Sequence, residues 1–202
     1  MANLSVSERK VLSLARKLKV VRIKDLTERG IHPEHARRLC AKGLLVRRGR
    51  GIYMARDADF SEHIGFAEVF KWVPHGVICL LSALRFHEIG TQLPSEVWLA
   101  LERGRARPRL EYPPLRVMWF SEAAFREGVQ AHVIDGIRVR IYDPAKTVAD
   151  CFRYRNKVGL DVALEALREC LHDHKATVDE LVHFAKVCRV WTVMRPYLEA
   201  LA

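Results

Sequence analysis

The sequence predicts an α+β chain of two modules, a small cationic one at residues 1–56 and a larger mixed one at 57–202. Three observations predict it. Helical apolar spacing and one Gly-rich hairpin pattern fill the first module; strand-like runs and an Asp-Gly turn occupy the middle of the chain; amphipathic helical stripes fill its end. The charge changes at the same place. Residues 1–56 hold 15 Lys and Arg against four acidic groups, a net of +11, while the rest of the chain holds 19 against 20, a net of −1. Such a step suggests one module that faces a polyanion and one that does not. The acidic stretch Asp57-Ala58-Asp59 is the expected boundary. With 202 residues and half of them hydrophobic, the chain can bury a real core, which excludes a disordered or collagen-like protein.

In the first module Val11, Leu14, Ala15 and Leu18 follow the spacing of one helical stripe. Ser5 or Ser7 can cap that helix, and Glu8 suits its first turn. Val20-Val21 suits a short strand. A second helix is expected from about Ile23 to Arg29, ended by Gly30. Ile31-His32 makes the turn, and Pro33 suits the first position of a third helix. The inward stripe of that helix is Ala36, Leu39 and Cys40, and Gly43 closes it. Leu44 to Arg47 and Ile52 to Met54 are strand-like around Arg48-Gly49-Arg50-Gly51, a hairpin. Helix, helix, Gly-containing turn, helix, basic hairpin is the order of a winged helix-turn-helix.

That order suits duplex DNA. The third helix points Glu34, His35, Arg37, Arg38 and Lys42 away from its apolar stripe, and His35, Arg37 or Arg38 can reach base edges in the major groove. Arg47, Arg48 and Arg50 at the hairpin tip can lie along phosphates or enter a narrow minor groove. Lys10, Lys17 and Lys24 are weaker candidates, better read as a solvated face. A winged helix that binds an acidic protein partner is the alternative, because fold does not dictate function.

In the second module, Ser61 to Trp72 reads as a helix with Phe66, Val69, Phe70 and Val73 on one side, and Val77 to His87 as a buried helix ending near Gly90. Glu96 to Leu101 and Leu115 to Phe120 are strand-like. The loop between them carries Arg103, Arg105, Arg107 and Arg109, candidates for a second polyanion or partner contact and equally readable as a solvated loop. Gln130 to Ile134 and Ile137 to Tyr142 flank Asp135-Gly136, a strong hairpin signal. Asp143-Pro144 then caps a helix whose Val148, Cys151 and Phe152 face one way. Leu160, Leu164, Leu167 and Leu171 form a second stripe. Thr177-Val178-Asp179-Glu180 is a capping box. A last helix carries Val190, Val193, Met194, Tyr197 and Leu201, with Pro196 starting or kinking it. The expected architecture is thus a mixed α/β domain with a small sheet and C-terminal helices.

No catalytic residue is assigned. The Asp/Glu-x-Lys triplet of magnesium nucleases occurs only as Glu8-Arg9-Lys10 and Asp173-His174-Lys175, neither of them on a strand. Phosphate-binding, nucleophile-elbow and metalloprotease motifs are missing from the sequence. Asp143, Lys146 and Asp150 resemble a transferase cluster, but capping and helix-face charge account for them. Cys170, His172 and His174, with His183 and Cys188, lack a standard zinc spacing, so no metal and no cofactor is expected. Five widely spaced cysteines suggest reduced, buried thiols. Apolar runs shorter than ten residues and the lack of a signal peptide point to a cytoplasmic protein with no membrane partner.

Several stretches together carry a family likeness: Leu44 to Tyr53; Val97 to Leu101 leading into Tyr112-Pro113-Pro114-Leu115-Arg116-Val117; Asp143 to Asp161, the most specific; and Arg195-Pro196-Tyr197-Leu198-Glu199. Through them nearly the whole chain resembles the AbiEi family, the antitoxin and transcriptional-regulator components of bacterial type IV toxin–antitoxin pairs. The resemblance implies a winged helix that binds inverted repeats of double-stranded operator DNA in its own promoter. It also implies a C-terminal antitoxin domain opposing a nucleotidyltransferase toxin of the AbiEii type. It assigns DNA contact to Arg37, Arg38, Lys42, Arg47, Arg48 and Arg50, and no catalytic role.

Overall fold

A computed structural model describes residues 4–57, 61–110 and 112–201. Ala58 and Asp59 of the acidic stretch fall outside them. The chain forms two compact units. The first is Met1–Pro74 with Pro108–Pro114 and Val133–Arg138; the second is His75–Arg107, Leu115–His132 and Val139–Ala202.

The first unit opens with α1 (Val6–Leu18). Ser5 and Glu8 close a reciprocal capping box: the Glu8 N–H donates to Ser5 Oγ at 3.2 Å and the Ser5 N–H to Glu8 Oε2 at 2.8 Å. The inward face of α1 is Val11, Leu12 and Ala15, with Leu14 and Leu18 only partly covered. β1 (Val20–Arg22), α2 (Ile23–Thr27), α3 (Glu34–Ala41), β2 (Leu45–Gly49) and β3 (Ile52–Ala55) follow. α2 stops short of the expected Arg29, since the chain leaves it through a turn ending at Gly30. Pro33 precedes α3 instead of opening it.

The sheet order is β1-β3-β2, antiparallel throughout, with Val21 opposite Tyr53 and Val46 opposite Met54. A register shift between Arg47 and Gly49 marks a bulge in the hairpin. Leu26, Ala36, Leu39, Leu45 and Tyr53 join the α1 stripe in one core. Burying each of the leucines is worth about 1.5–3 kcal/mol. This is a winged helix-turn-helix: α3 is the second helix of the motif, and β2–β3 is the wing. α4 (Ile64–Trp72) belongs to the same unit and buries Phe66, Val69 and Phe70 as expected, and also Glu68.

The second unit is a five-stranded sheet with helices. Its elements are β4 (Val77–Ile78), α5 (Leu80–Phe86), β5 (Val97–Glu102), β6 (Leu115–Phe120), α6 (Glu122–Arg126), β7 (Val129–Ile134), β8 (Ile137–Tyr142), α7 (Pro144–Arg153), α8 (Arg155–Val158), α9 (Leu160–His172), α10 (Val178–Val187) and α11 (Trp191–Leu201). The strand order is β6-β5-β4-β8-β7; β5 pairs with β6 in parallel and β4 with β8 in parallel. Val77-Ile78 is therefore a central strand and not the start of a buried helix. Its two β-branched side chains are wholly buried, which a short apolar run does not reveal by periodicity alone. The β7–β8 turn takes positive φ at Asp135 (+48°) and Gly136 (+78°), the conformation that favours an Asp-Gly pair.

The C-terminal helices start where the caps indicate. Asp143 Oδ1 accepts the Lys146 N–H at 2.7 Å, and Thr177 with Glu180 forms a capping box. The buried face of α9 is Val162, Ala163, Ala166, Leu167 and Cys170; of the leucine stripe Leu167 is fully buried, Leu164 and Leu171 pack on the core in part, and Leu160 is exposed. Pro196 lies inside α11. Cys79, Cys151, Cys170 and Cys188 are free and buried, and Cys40 is free and partly covered.

Candidate nucleic-acid interface

Eight residues of α3 carry the candidate reading surface. Ala36 and Leu39 pack inward, which leaves Arg37, Arg38 and Ala41 on the solvent face. Arg37 pairs loosely with Glu34 at 3.4 Å, both exposed, an attachment worth at most about 1 kcal/mol. Among the described residues the Arg38 side chain has neither hydrogen bond nor ion pair. On the wing, Arg50 is exposed and equally unengaged among the described residues, while exposed Arg47 donates from Nε to the Gly49 carbonyl at 3.1 Å. These four guanidinium groups are available to phosphate or base edges.

Of the other three candidates, Lys42 and Arg48 are held by the protein and His35 is half-covered. Lys42 donates from Nζ to Glu8 Oε1 at 2.7 Å, and the Glu8 side chain is only 5% exposed. That hydrogen bond, with the Ser5 N–H, holds the Glu8 carboxyl down to about 2. His35 is half-buried, and its Nδ1 is covered without a partner among the described residues. Arg48 turns inward: its Nε lies 3.4 Å from Glu68 Oε1, and its guanidinium stacks 4.8 Å from the centre of the Tyr112 ring. Glu68 is 1% exposed and Arg48 37%. Burial pushes the Glu68 carboxyl up, and Arg48 pulls it back down. A buried glutamate about one turn into the apolar helix α4 gives no sequence signal, so Arg48 reads on paper like its neighbours.

The four arginines of the loop are divided between the two units. Arg103, Arg105 and Arg107 fall in the second unit, where the Arg105 carbonyl accepts the Trp119 indole N–H at 3.1 Å and Arg107 reaches the Leu115 carbonyl at 3.4 Å. Arg109 falls in the first unit. It is exposed and, with Arg22, Lys24, Arg50 and Trp72, lines a cleft of about 740 Å³ beside the wing.

In the second unit Lys146 and Asp150 are fully buried and 2.5 Å apart, so they are an internal ion pair instead of charge on an exposed helix face. Cys188 donates its S–H to Asp150 Oδ1 at 3.2 Å, and the Lys146 ammonium sits 4.2 Å from the Tyr142 ring centre. Burial pushes the Asp150 carboxyl up, against the pull of Lys146. Among the described residues no group of three His, Cys, Asp or Glu side chains is placed to hold a metal ion, and no helix is long and apolar enough to cross a membrane.

Residues 9–56, from the first turns of α1 to the end of the wing, match the family model described as transcriptional regulator, AbiEi antitoxin. The match covers this segment, under a quarter of the chain. All seven candidates of α3 and the wing lie inside the matched segment, and the likenesses at 97–117, 143–161 and 195–199 lie outside it. No curated protein matches the chain. Among solved structures, the chain is similar to the crystal structure of the RV2827C protein from Mycobacterium tuberculosis, at 16% identity, with a TM-score of 0.68 over 99% of this chain and 78% of that one. At that identity the likeness concerns the fold alone.

Proposed function

We propose that the chain is a DNA-binding transcriptional regulator that represses its own operon and, as an antitoxin, opposes a nucleotidyltransferase toxin. The observation that carries the DNA reading is the set of outward guanidinium groups on two elements of one winged helix: Arg37 and Arg38 on α3, Arg47 and Arg50 on the wing. Such a pair of elements engages the major groove with a helix and the flanking backbone with a hairpin. The local charge of +11 supplies the sequence-independent attraction. Lys42, through Glu8, and Arg48, through Glu68, hold the recognition helix and wing in place. Inverted repeats in the operator suit two copies of the chain. The antitoxin half of the reading is supported by the AbiEi match of residues 9–56. It assigns the chain no catalytic residue and a cytoplasmic setting.

The test is fluorescence anisotropy on the DNA upstream of the gene, over a range of salt. Log affinity should fall linearly with log salt, with a slope of about −0.9 per phosphate contacted. Arg47→Ala and Arg50→Ala should each weaken binding to all sequences and flatten the slope by about one contact. Arg38→Ala should in addition relax discrimination at one base pair. Affinity unchanged in Arg37→Ala/Arg38→Ala/Arg50→Ala would remove the winged helix from the mechanism. For the antitoxin half, co-expression with an adjacent nucleotidyltransferase gene should restore growth, and failure to do so would reject that partner.

A further inference from the structure

The cleft beside the wing has a chemistry that a duplex does not use. Arg22, Lys24, Arg50 and Arg109 bring four cationic side chains to one opening, and Trp72, at the end of α4, presents an indole that is 43% exposed. Two of the cations are partly occupied. Arg22 donates to the Lys71 carbonyl and lies 3.9 Å from Asp25, and Lys24 pairs with Glu28 at 3.7 Å on the surface. Arg50 and Arg109 have no partner among the described residues. Ile23 and Leu110 supply the apolar wall next to the indole.

We infer that this cleft is a nucleotide site, taking phosphate oxygens on Arg50, Arg109 and Lys24 and a base ring against Trp72. Guanidinium groups pair with phosphate in a fork geometry, and an exposed indole is a stacking face for any base. About 740 Å³ is the size of a small-molecule site. A double helix is too broad for it and hides the faces of its bases, so the ligand is a nucleotide outside a duplex. Two sources share that chemistry: a free nucleoside triphosphate, or an unpaired nucleotide of a single strand. The inference shares Arg50 with the DNA reading but does not rest on it.

The experiment is isothermal titration of the full chain, at physiological salt, with ATP, GTP, a six-nucleotide oligo-dT and pyrophosphate. At least one base-bearing probe should bind one-to-one and more tightly than pyrophosphate. Trp72→Ala should weaken that binding about 5- to 150-fold, and Trp72→Phe should restore most of it. Arg109→Ala, on an exposed side chain, should weaken it roughly tenfold or more. Binding of ATP or GTP assigns the site to free nucleotides; binding of oligo-dT alone assigns it to a strand. The inference is overturned if no base-bearing probe binds, or if binding equals that of pyrophosphate and ignores Trp72→Ala. The same proteins are assayed on duplex operator DNA. Loss there in Arg37→Ala/Arg38→Ala tests the duplex reading of the recognition helix, and Trp72→Ala, which leaves that helix intact, should not change duplex affinity.

Discussion

Arg48→Ala separates a structural arginine from a DNA-contacting one. The substitution removes the cation that pairs with Glu68, a carboxylate that is 1% exposed in the intact chain and whose Oε2 is without a partner among the described residues. Removing one member of a fully buried pair costs about 3–5 kcal/mol. An exposed pair is worth about 1 kcal/mol or less. This pair lies between those limits, because Arg48 is 37% exposed while Glu68 is not. The lost stacking on Tyr112 adds about 0.5–1 kcal/mol. The expected loss is therefore about 2–3 kcal/mol at neutral pH, read as a fall in the urea midpoint. The loss should also depend on pH with a definite sign. Burial already raises the Glu68 pKa above 4.5, and removing Arg48 raises it further. The folded state then binds the proton more tightly than the unfolded one. Stability falls as pH climbs from the unfolded value through the folded one, so the defect is largest at pH 7 and shrinks toward pH 4.5. Arg48→Ala/Glu68→Leu should recover most of the stability and the slope of DNA affinity with salt, whereas Arg50→Ala should lose slope without losing stability. A pH-independent defect, or a double variant no more stable than the single one, would refute the assignment of Arg48 to Glu68.

Three further outcomes follow from the geometry. Glu8 is held at about 2 by Lys42 and Ser5, so its contribution is present above pH 4.5 and lost as pH falls toward 2; Glu8→Gln should flatten that acid limb in a pH series of unfolding. Lys146→Met leaves Asp150 buried and unpaired and should cost about 3–5 kcal/mol, while Lys146→Met/Asp150→Leu should regain most of it in the same urea assay. Gly128 has φ +72° and an added Cβ would lie 2.7 Å from Asp143 Oδ2 and from Lys146 Cβ, so Gly128→Ala should destabilise by more than the ~1 kcal/mol of ordinary backbone effects, measured by the thermal midpoint.

Much of the fold is local chemistry and was readable as such. Ser5 with Glu8, Asp143 with Pro144, and Thr177 with Glu180 mark helix starts because their hydrogen bonds span three residues. Asp135-Gly136 marks its turn because few other pairs adopt two successive positive φ angles. The winged helix-turn-helix follows from the same short-range signals, and the step in charge at its end is a property of composition. Val77-Ile78 was legible only as an apolar run, since a strand buried on both faces lacks alternation. On α9 the leucine spacing marks Leu167 as core, while the buried face extends to Val162, Ala163, Ala166 and Cys170, which a stripe of leucines alone does not indicate.

The sequence by itself determined where helices start, which hairpins form and that the excess positive charge belongs to the first module, because capping, turn geometry and charge counts need only near neighbours. Which cations remain free was decided by the tertiary structure alone. Glu8 meets Lys42 across 34 residues and Glu68 meets Arg48 across 20, while Arg109 comes to the cleft of Arg50 from a loop far along the chain. Pairing of that kind depends on which surfaces are desolvated together, and desolvation is a property of the packed core, not of the order of residues.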